Sequence, residues 1–564
     1  MAAADDKDGE LLFTALGGVG EIGMNVYLYG LDGQWMMVDL GITFADDRLP
    51  GADIVLPDLT FIEQQKDRLK GLVLTHAHED HLGAVPYLWP RLNCPIYCSP
   101  FAAAVLKRKL DEAGVRPGGK LRVVEPGELF KVGPFSNSFI SVTHSVPEAN
   151  ALAIECERGR LLHSGDWKLD PMPLLGKRTD ARALEEFGDK GALALISDST
   201  NVLNAGTSGS ESEVRDSLTK LIAEQPNRVV LTTFASNIAR MQTAIHAARE
   251  AGREVFIVGR SMNKMMEAAR DVGYLGKLPP LRDLRELDEL PRNKVMLLAT
   301  GSQGEPRAAL VRIASNQHPK VKLDAGDTVI FSSKIIPGNE RTLYNLHNLL
   351  VTRDIEVITE EDHFVHVSGH PCRDEMEQLY RWIRPEIAVP MHGEARHLHA
   401  HQRFAQKLGV PRSLLVENGS LLRLAPGIPE IIDEVPVGRM VFESEEIIEA
   451  GDELYRTRRR LMNHGTILVS LVFDDLGSLL SEPRIAAHGL VDAERLGQVR
   501  SRVVEQIMDA VEELNDDDVD DDDRIRDATR FALRQALDLP RFRRPLVEIQ
   551  ILRLSQEALA GFQT

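Results

Sequence analysis

The chain has 564 residues, and a prior of roughly 150 residues per domain predicts three or four modules rather than a single core. Its formal net charge of -19 excludes indiscriminate binding to polyphosphate, because that mode of binding depends on an excess of Lys and Arg. Four cysteines are too few for a disulfide framework, and no apolar run approaches the ~20 residues of a membrane-spanning helix, so we expect a cytoplasmic protein without a membrane span.

Short runs rich in β-branched and apolar residues dominate the first 200 residues, and few long helical patterns interrupt them. These runs predict strands at Asn25–Tyr29, Trp35–Asp39, Leu72–Thr75, Phe139–Thr143 and Ala151–Glu155. We therefore expect a sheet-rich first domain.

From about Ser210 helical patterns alternate with nearly continuous apolar strands. Ser212 is predicted to cap the first helix, in which apolar residues from Val214 to Ile222 follow at helical spacing. The predicted strands are Val229–Thr233, Val255–Val258, Val295–Leu298, Val329–Phe331 and Ile355–Ile358. Apolar strands separated by helices indicate a parallel sheet covered on both faces, and hence a second α/β domain that ends near residue 365.

The rest of the chain predicts a return to the first domain and then a small additional domain. The helix Glu375–Ile383 and the strand Ile387–Met391 indicate the return. After about Glu430 the pattern predicts strands, two helices and a final strand, which together indicate a separate α/β domain suited to oligomerisation. We interpret the acidic run Asp516–Asp523 as a solvated linker between those helices. A calcium site is the alternative, although the run lacks the Gly and Glu spacing of an EF-hand.

The strongest chemical signal is the run His76-Ala-His78-Glu-Asp80-His81, which directly follows a predicted strand. Imidazoles at positions i and i+2 of an extended segment can converge on one ion, while Asp80 and His81 can reach a second ion after the loop turns. A single histidine is more often an ordinary core residue. Four potential ligands in one loop instead predict a metal site.

Three more candidate ligands, His144, Asp166 and His392, each follow an apolar strand, and strand-end loops are where a sheet displays site residues. The predicted ligand sets are His76, His78 and His144 for one divalent metal ion, Asp80, His81 and His392 for the other, and Asp166 as the bridge. Five imidazoles without a thiolate favour zinc, with manganese as the alternative. Two divalent ions carry a charge of +4, and two aspartates and a hydroxide together carry -3. The remaining net charge of +1 suits a phosphodiester anion.

The order His-x-His-x-Asp-His, followed by a separate His, Asp and His, resembles the signature of the metallo-β-lactamase superfamily. Asp39 matches the preceding acidic motif of that superfamily and is expected to brace the site rather than bind metal. The α/β insertion between Asp166 and His392 is similar to that of the β-CASP nucleases, in which the added domain forms one wall of a nucleic-acid channel.

The resemblance extends to the bacterial ribonuclease J family over most of the first 400 residues. It rests on Leu16-Gly-Gly-Val-Gly-Glu-Ile-Gly-Met-Asn25, Ser197-Asp-Ser-Thr-Asn201, Gly259-Arg-Ser-Met262, Ala299-Thr-Gly-Ser-Gln-Gly-Glu-Pro306, His366-Val-Ser-Gly-His370 and His392-Gly-Glu394.

The resemblance implies an α/β fold: a metallo-β-lactamase αββα sandwich, an inserted β-CASP domain with a parallel sheet, and a small C-terminal α/β domain. We place the first part of the metallo-β-lactamase domain at 1–208, the β-CASP domain at 209–365 and the return segment at 366–430. A linker at 431–455 then leads to the C-terminal domain at 456–564, which is expected to support oligomerisation.

The resemblance also implies hydrolysis of single-stranded RNA in RNA processing and decay, processively from a 5'-monophosphate end, with internal cleavage left open. A homodimer or homotetramer is expected. Arg260, Ser368 and His370 are implied to hold a phosphate of the RNA beside the metals. His370 is also expected to protonate the leaving 3'-oxygen with Asp198 orienting it, so the candidate catalytic residues are Asp80, Asp198 and His370.

Parts of the sequence also match other classes of protein. The spacing Gly18-x-Gly20-x-x-Gly23 matches the dinucleotide fingerprint, but the next residues continue as a strand, so we reject a nicotinamide cofactor. A small-molecule metallohydrolase such as a lactonase would lack the inserted domain, whereas a DNA-directed β-CASP nuclease is a nearer alternative. Aromatic residues make up only 5% of the chain and form no stacking platform, which predicts weak sequence preference in a cleft between the two large domains.

Overall fold

The structure is a computed structural model that describes residues 9–276, 278, 281–336, 338–490, 493–515, 519–537 and 545–555. The chain divides into two compact units. Unit 1 contains the residues up to Thr43 and Leu56–Gly438, and unit 2 contains Phe44–Val55 and the residues from Arg439 onward. Among the described residues, no helix combines the length and the apolar character needed to cross a bilayer.

Two facing sheets form the core of the first and largest part of unit 1. The eight-stranded sheet has the order Glu430–Glu434, Ser420–Ala425, Leu11–Gly17, Val26–Leu31, Gln34–Val38, Leu69–Val73, Ile96–Cys98 and Leu121–Val123. The seven-stranded sheet has the order Leu129–Val132, Phe135–Ser141, Asn150–Cys156, Gly159–His163, Ala194–Asp198, Ile387–Met391 and Arg412–Ser413. Apolar side chains of both sheets meet in one buried cluster, among them Phe13, Tyr27, Phe139 and Ile196.

Helices lie outside these two sheets. The outer face of the seven-stranded sheet packs against Ala181–Asp189, Arg373–Ile383 and Ala395–Lys407, which bury a second apolar cluster with it. The connections of the eight-stranded sheet contain Thr60–Glu63, Glu79–Leu82, Val85–Leu92 and Pro100–Glu112. Because both faces of each central strand are covered, the strand Val26–Leu31 is buried at every position.

A five-stranded sheet, parallel throughout, forms the inserted part of unit 1. Its strand order is Glu254–Val258, Val295–Ala299, Val229–Thr232, Thr328–Phe331 and Glu356–Ile358. Its helices are Glu211–Glu224, Ile238–Glu250, Arg260–Asp271, Ala309–Ala314 and Glu340–Val351. The observed strands therefore coincide with the predicted apolar runs to within about a residue at each end.

The predicted cap of the first inserted helix was wrong by two residues. Ser210, not Ser212, is the N-cap, and its side chain accepts a hydrogen bond from the Ser212 backbone. Glu213 completes a capping box by accepting from the Ser210 backbone N–H at 3.1 Å. The helix therefore begins at Glu211, one position before the predicted cap.

Among the residues that the structure describes, unit 2 forms two small sheets and three helices. One sheet has the order Glu446–Glu449, Arg439–Glu443, Ile54–Pro57 and Thr43–Phe44, and the other has the order Arg484–His488, Thr466–Asp474 and Leu546–Leu554. The helices are Glu453–His464, Ala493–Glu512 and Asp522–Ala536. The stretch 431–455, which was predicted as a linker, thus carries two strands of the four-stranded sheet of unit 2. The predicted domain boundaries themselves remain predictions.

The acidic run is only partly covered, since 516–518 lie outside the described residues. Asp521 caps the helix Asp522–Ala536, accepting a hydrogen bond from the Asp523 backbone at 2.8 Å. Part of the run therefore serves to begin a helix, where negative charge is favourable.

Candidate metal centre and active site

The seven predicted metal ligands come from loops at one edge of the two facing sheets. The loop His76–His81 follows the strand Leu69–Val73 and leads into a short helix. Asp166 and His392 follow the strands Gly159–His163 and Ile387–Met391, which flank Ala194–Asp198 in parallel. Because carboxyl ends of parallel strands share one edge, residues far apart in sequence meet there.

The ligand atoms form two groups that share Asp166. Within each group every donor atom lies within 4.8 Å of the others: His76, His78, His144 and Asp166 in the first group, and Asp80, His81, Asp166 and His392 in the second. All of these ligand side chains are buried except those of His78 and Asp80, which are partly exposed. The structure thus brings together the same two sets that were predicted from the sequence.

Two of the imidazoles are oriented by an acceptor at Nδ1. His144 Nδ1 lies 2.6 Å from the carbonyl oxygen of Gly369, and His81 Nδ1 lies 2.7 Å from Asp39 Oδ2. A carbonyl oxygen can only accept, so His144 carries its proton on Nδ1 and leaves Nε2 as a free lone pair. A Cβ on Gly369 would lie 2.7 Å from the His144 ring, so a side chain there would displace the ligand.

Hydroxyl groups orient two more imidazoles. Thr75 Oγ1 donates to Asp39 Oδ2 at 2.9 Å and therefore accepts from His76 Nδ1 at 3.0 Å. Thr200 Oγ1 donates to Asp198 Oδ1 at 2.7 Å and accepts from His392 Nδ1 at 2.9 Å. Both histidines thereby present Nε2 to the ligand groups, in the manner of metal-ligating histidines with fixed outer partners.

The contacts inside the first group fit a cation. His78 Nδ1 lies 3.1 Å from both His76 Nε2 and His144 Nε2, so three ring nitrogens converge. The ring protons of His76 and His144 are on their Nδ1 atoms. Their Nε2 atoms therefore carry lone pairs, and both lone pairs face His78 Nδ1. Asp166 Oδ1 is buried and has no hydrogen-bond partner among the described residues. Imidazoles and carboxylates arranged in this way are the donor set of a divalent metal ion.

Asp39 is placed as a brace. It is fully buried, accepts from the Thr75 backbone at 2.8 Å and contacts His81, but it belongs to neither ligand group. Burial raises its pKa above the ordinary value, even though His81 and Thr75 act in the opposite direction. Gly41 permits the close packing beside it, because a Cβ there would lie 1.7 Å from the Asp80 carbonyl oxygen.

A carboxylate–imidazole pair adjoins the second group. His370 Nδ1 lies 2.7 Å from Asp198 Oδ2 and 3.8 Å from Asp166 Oδ2. Burial lowers the pKa of His370, but the charges of Asp198 and Asp166 outweigh burial and raise it. Burial alone would raise the pKa of Asp198, but the neighbouring His370 and His392 outweigh burial and hold that pKa well below the ordinary value. The geometry allows Asp198 to orient the His370 ring.

The predicted phosphate-binding residues lie in two places. Ser368 is partly exposed and is bonded to Asn201 at 2.7 Å and to the His370 backbone at 3.1 Å, in the same turn as His370. Arg260 is exposed at the start of the helix Arg260–Asp271. Within the described part of the chain, Arg260 forms no hydrogen bond or ion pair with Ser368 or His370, whereas Ser368 and His370 are in direct contact.

Several site residues were not singled out from the sequence. They are Asn25, Thr75, Thr200 and Asn201, all of which contact ligands, the catalytic candidates or Ser368. Asn25 Nδ2 lies 3.0 Å from His81 Nε2 and 3.0 Å from the Asp80 carbonyl oxygen. Each follows or precedes an apolar strand, and that position was the available signal. The residue that each of them contacts, however, is determined by the tertiary structure.

Four family models match the chain. They are the metallo-beta-lactamase superfamily over residues 19–232, the ribonuclease J beta-CASP domain over 226–350, the Zn-dependent metallo-hydrolase RNA specificity domain over 354–414, and the ribonuclease J C-terminal domain over 454–554. The predicted architecture of a sandwich, an inserted β-CASP domain and a C-terminal domain is therefore confirmed.

Curated relatives match over nearly the whole chain. Ribonuclease J of Sinorhizobium meliloti is 42% identical over 97% of this chain and 98% of its own length. Ribonuclease J of Mycolicibacterium smegmatis is 36% identical over 97% of this chain and 98% of its own length. Ribonuclease J of Thermus thermophilus is 34% identical over 94% of this chain and 93% of its own length. These matches confirm a metal-dependent ribonuclease that hydrolyses RNA and binds divalent metal. The chain belongs to the ribonuclease J family.

Proposed function

We propose that this ribonuclease acts as a 5'-to-3' exonuclease with a preference for RNA that carries a 5'-monophosphate. The observation that carries the proposal is the turn Ser368–His370, which sets a hydroxyl and an imidazole directly beside the ligand groups. A terminal phosphate held there would fix the distance from the RNA end to the cleaved bond. Removal of a single nucleotide at each step follows from such a fixed distance.

We assign the metal ligands as they were predicted. One ion would be held by His76, His78 and His144, and the other by Asp80, His81 and His392, with Asp166 available to both. Zinc is the proposed metal, because the set contains five imidazoles and no thiolate, and manganese is the alternative. When bound, two such ions activate water as the nucleophile and stabilise the charge on the phosphoryl oxygens.

The protein residues supply orientation and a proton. His370 Nδ1–H donates a hydrogen bond to Asp198, which holds the ring in one orientation and leaves Nε2 to deliver a proton to the leaving 3'-oxygen. Asp80 stays in the catalytic set as a ligand that also contacts His392 at 3.2 Å. Arg260 and Ser368 are proposed to hold a phosphate of the RNA, for which an exposed guanidinium and a partly exposed hydroxyl are suitable donors.

Four substrates test this proposal: RNA with a 5'-monophosphate, the same RNA with a 5'-triphosphate, a matched DNA and a lactone. Release of mononucleotides chiefly from the monophosphate RNA is expected. Equal rates on the two RNAs would contradict the 5'-end preference, and equal cleavage of DNA would contradict the RNA selectivity.

The role of His370 is tested by His370→Ala, with His399→Ala as the matched control because His399 is an exposed histidine outside the site. His370→Ala should lower kcat about 100-fold or more, the scale of general acid catalysis, while metal content stays constant. RNA hydrolysis at the parental rate with unchanged metal content would remove His370 from the mechanism.

We also propose that the chain forms a homodimer or homotetramer. Exposed apolar side chains in unit 2, among them Leu476, Phe531 and Leu552, support self-association. Sedimentation equilibrium should give a mass of two or four chains, and a monomer across the micromolar range would contradict the proposal.

A further inference from the structure

The hydroxyl oxygen of Ser368 receives two hydrogen bonds. Asn201 Nδ2 lies 2.7 Å from Ser368 Oγ, and the backbone nitrogen of His370 lies 3.1 Å from the same oxygen. A backbone N–H can only donate, so the second bond has a fixed direction. The direction of the first bond depends on which end of the Asn201 amide faces Ser368.

The orientation of the Asn201 amide is fixed by its other neighbours. Its Nδ2 also lies 3.0 Å from the carbonyl oxygen of His370, which can only accept. Its Oδ1 accepts from Asn204 Nδ2 at 3.2 Å. Asn201 is only 7% exposed, so no solvent rearrangement competes with these contacts. An amide turned the other way would place two oxygens against each other, and Asn201 must therefore donate to Ser368.

These two bonds determine what the Ser368 hydroxyl can still do. A hydroxyl oxygen has two lone pairs and one hydrogen, and both lone pairs already accept. Among the described residues, no acceptor receives the hydrogen of Ser368, and the side chain is partly exposed beside His370. The hydroxyl is therefore left as a donor toward a ligand.

We propose that Asn201 is a positioning residue that fixes the Ser368 hydroxyl as a hydrogen-bond donor to an anionic phosphate oxygen of the RNA. This inference rests on the proposed phosphate-binding role of Ser368. A phosphate oxygen only accepts hydrogen bonds, so a hydroxyl held as a donor is matched to it before binding. A freely rotating hydroxyl would have to be ordered when the phosphate arrives.

The test is a double-mutant cycle of Asn201→Ala and Ser368→Ala, with KM and kcat measured on 5'-monophosphate RNA and competitive inhibition measured with inorganic phosphate. Asn201→Ala should raise KM and weaken phosphate inhibition by about 10-fold, the scale of one hydrogen bond to a charged group, with a smaller change in kcat. In the Ser368→Ala background the same substitution should change KM less than about 2-fold, because the hydroxyl it positions is gone.

A purely structural role gives a different pattern. Asn201→Ala would then raise KM by the same factor in both backgrounds, which overturns the inference. If Ser368→Ala raises KM but Asn201→Ala does not, only the inference fails. If Ser368→Ala leaves KM unchanged, the phosphate-binding role of Ser368 fails, and the inference fails with it.

Two further variants keep the test interpretable. Asn201→Asp has nearly the shape of the parent, but its carboxylate would accept a hydrogen bond from the Ser368 hydroxyl and turn that hydroxyl away from the ligand. KM should rise more than for Asn201→Ala, and a parental KM would overturn the inference. Asn227→Ala is the matched control, because Asn227 is partly exposed on the inserted domain and donates to the Gly326 carbonyl oxygen.

Discussion

Glu375 joins three separate segments near the active site. It lies in the first turn of the helix Arg373–Ile383 and is only 2% exposed. Its Oε1 accepts from Leu169 N at 2.9 Å and Ser208 Oγ at 2.8 Å, and its Oε2 accepts from Ser208 N and Cys372 N, both at 2.8 Å. These donors belong to the loop after Asp166, the start of the inserted domain, and the turn after His370.

Replacing this carboxylate by an amide should be costly. In either orientation of Glu375→Gln, at least one backbone N–H faces an amide N–H, because a backbone N–H cannot become an acceptor. A hydrogen bond to a charged group contributes about 1.5–3 kcal/mol, and a buried donor left without an acceptor costs about 1–3 kcal/mol. We expect Glu375→Gln to lower the free energy of unfolding by roughly 3–5 kcal/mol.

Urea unfolding followed by tryptophan fluorescence measures this effect in unit 1 alone. All four tryptophans of the chain lie in that unit: Trp35, Trp89, Trp167 and Trp382. The matched control is Glu377→Gln on the same helix, which loses only a surface ion pair with Arg381 and should cost less than about 0.5 kcal/mol. Equal unfolding midpoints for the two variants would refute the reasoning.

Three other predictions follow from buried groups. Glu211→Gln should cost about 3–5 kcal/mol at pH 7, because it leaves Arg240 buried without a counter-charge. Burial raises the pKa of Glu211, but the charge of Arg240 outweighs burial, so the folded-state pKa lies below the ordinary value. The stability that the ion pair contributes is therefore lost as pH falls through that folded-state pKa. The deficit measured by urea unfolding should therefore narrow below roughly pH 4, and a constant deficit would contradict the assignment. Burial raises the pKa of Cys94 and Cys98 to about 12, so a thiol reagent should label neither in the native protein, whereas rapid native labelling would contradict their burial. His76→Ala should lower metal content and abolish RNA hydrolysis, and full metal content in the purified variant would exclude it as a ligand.

The convergence of the predicted ligands could be expected from the sequence because its signal is local. Each ligand follows an apolar strand, and the strands of parallel sheets deliver their carboxyl ends to one edge. The inserted sheet was predictable for the same reason, since strands such as Val295–Ala299 are buried at every position and read as continuous apolar runs.

The groups that orient the ligands could not be predicted in the same way. Gly369 and His144 are joined by a hydrogen bond across 225 positions, and Thr200 and His392 across 192. Such pairings follow from the register of distant strands, which no local pattern specifies. The cap at Ser210 was missed because Ser210 and Ser212 are chemically equivalent candidates, and Glu213 decides between them.

The central claim is that the two groups sharing Asp166 hold two metal ions that are required for RNA hydrolysis. Its most direct test is a zinc titration of chelator-stripped protein, with hydrolysis of 5'-monophosphate RNA as the readout. We predict no hydrolysis without metal and a rise that reaches its plateau at about two equivalents per chain. Hydrolysis that survives chelation, or a plateau at one equivalent, would contradict the claim.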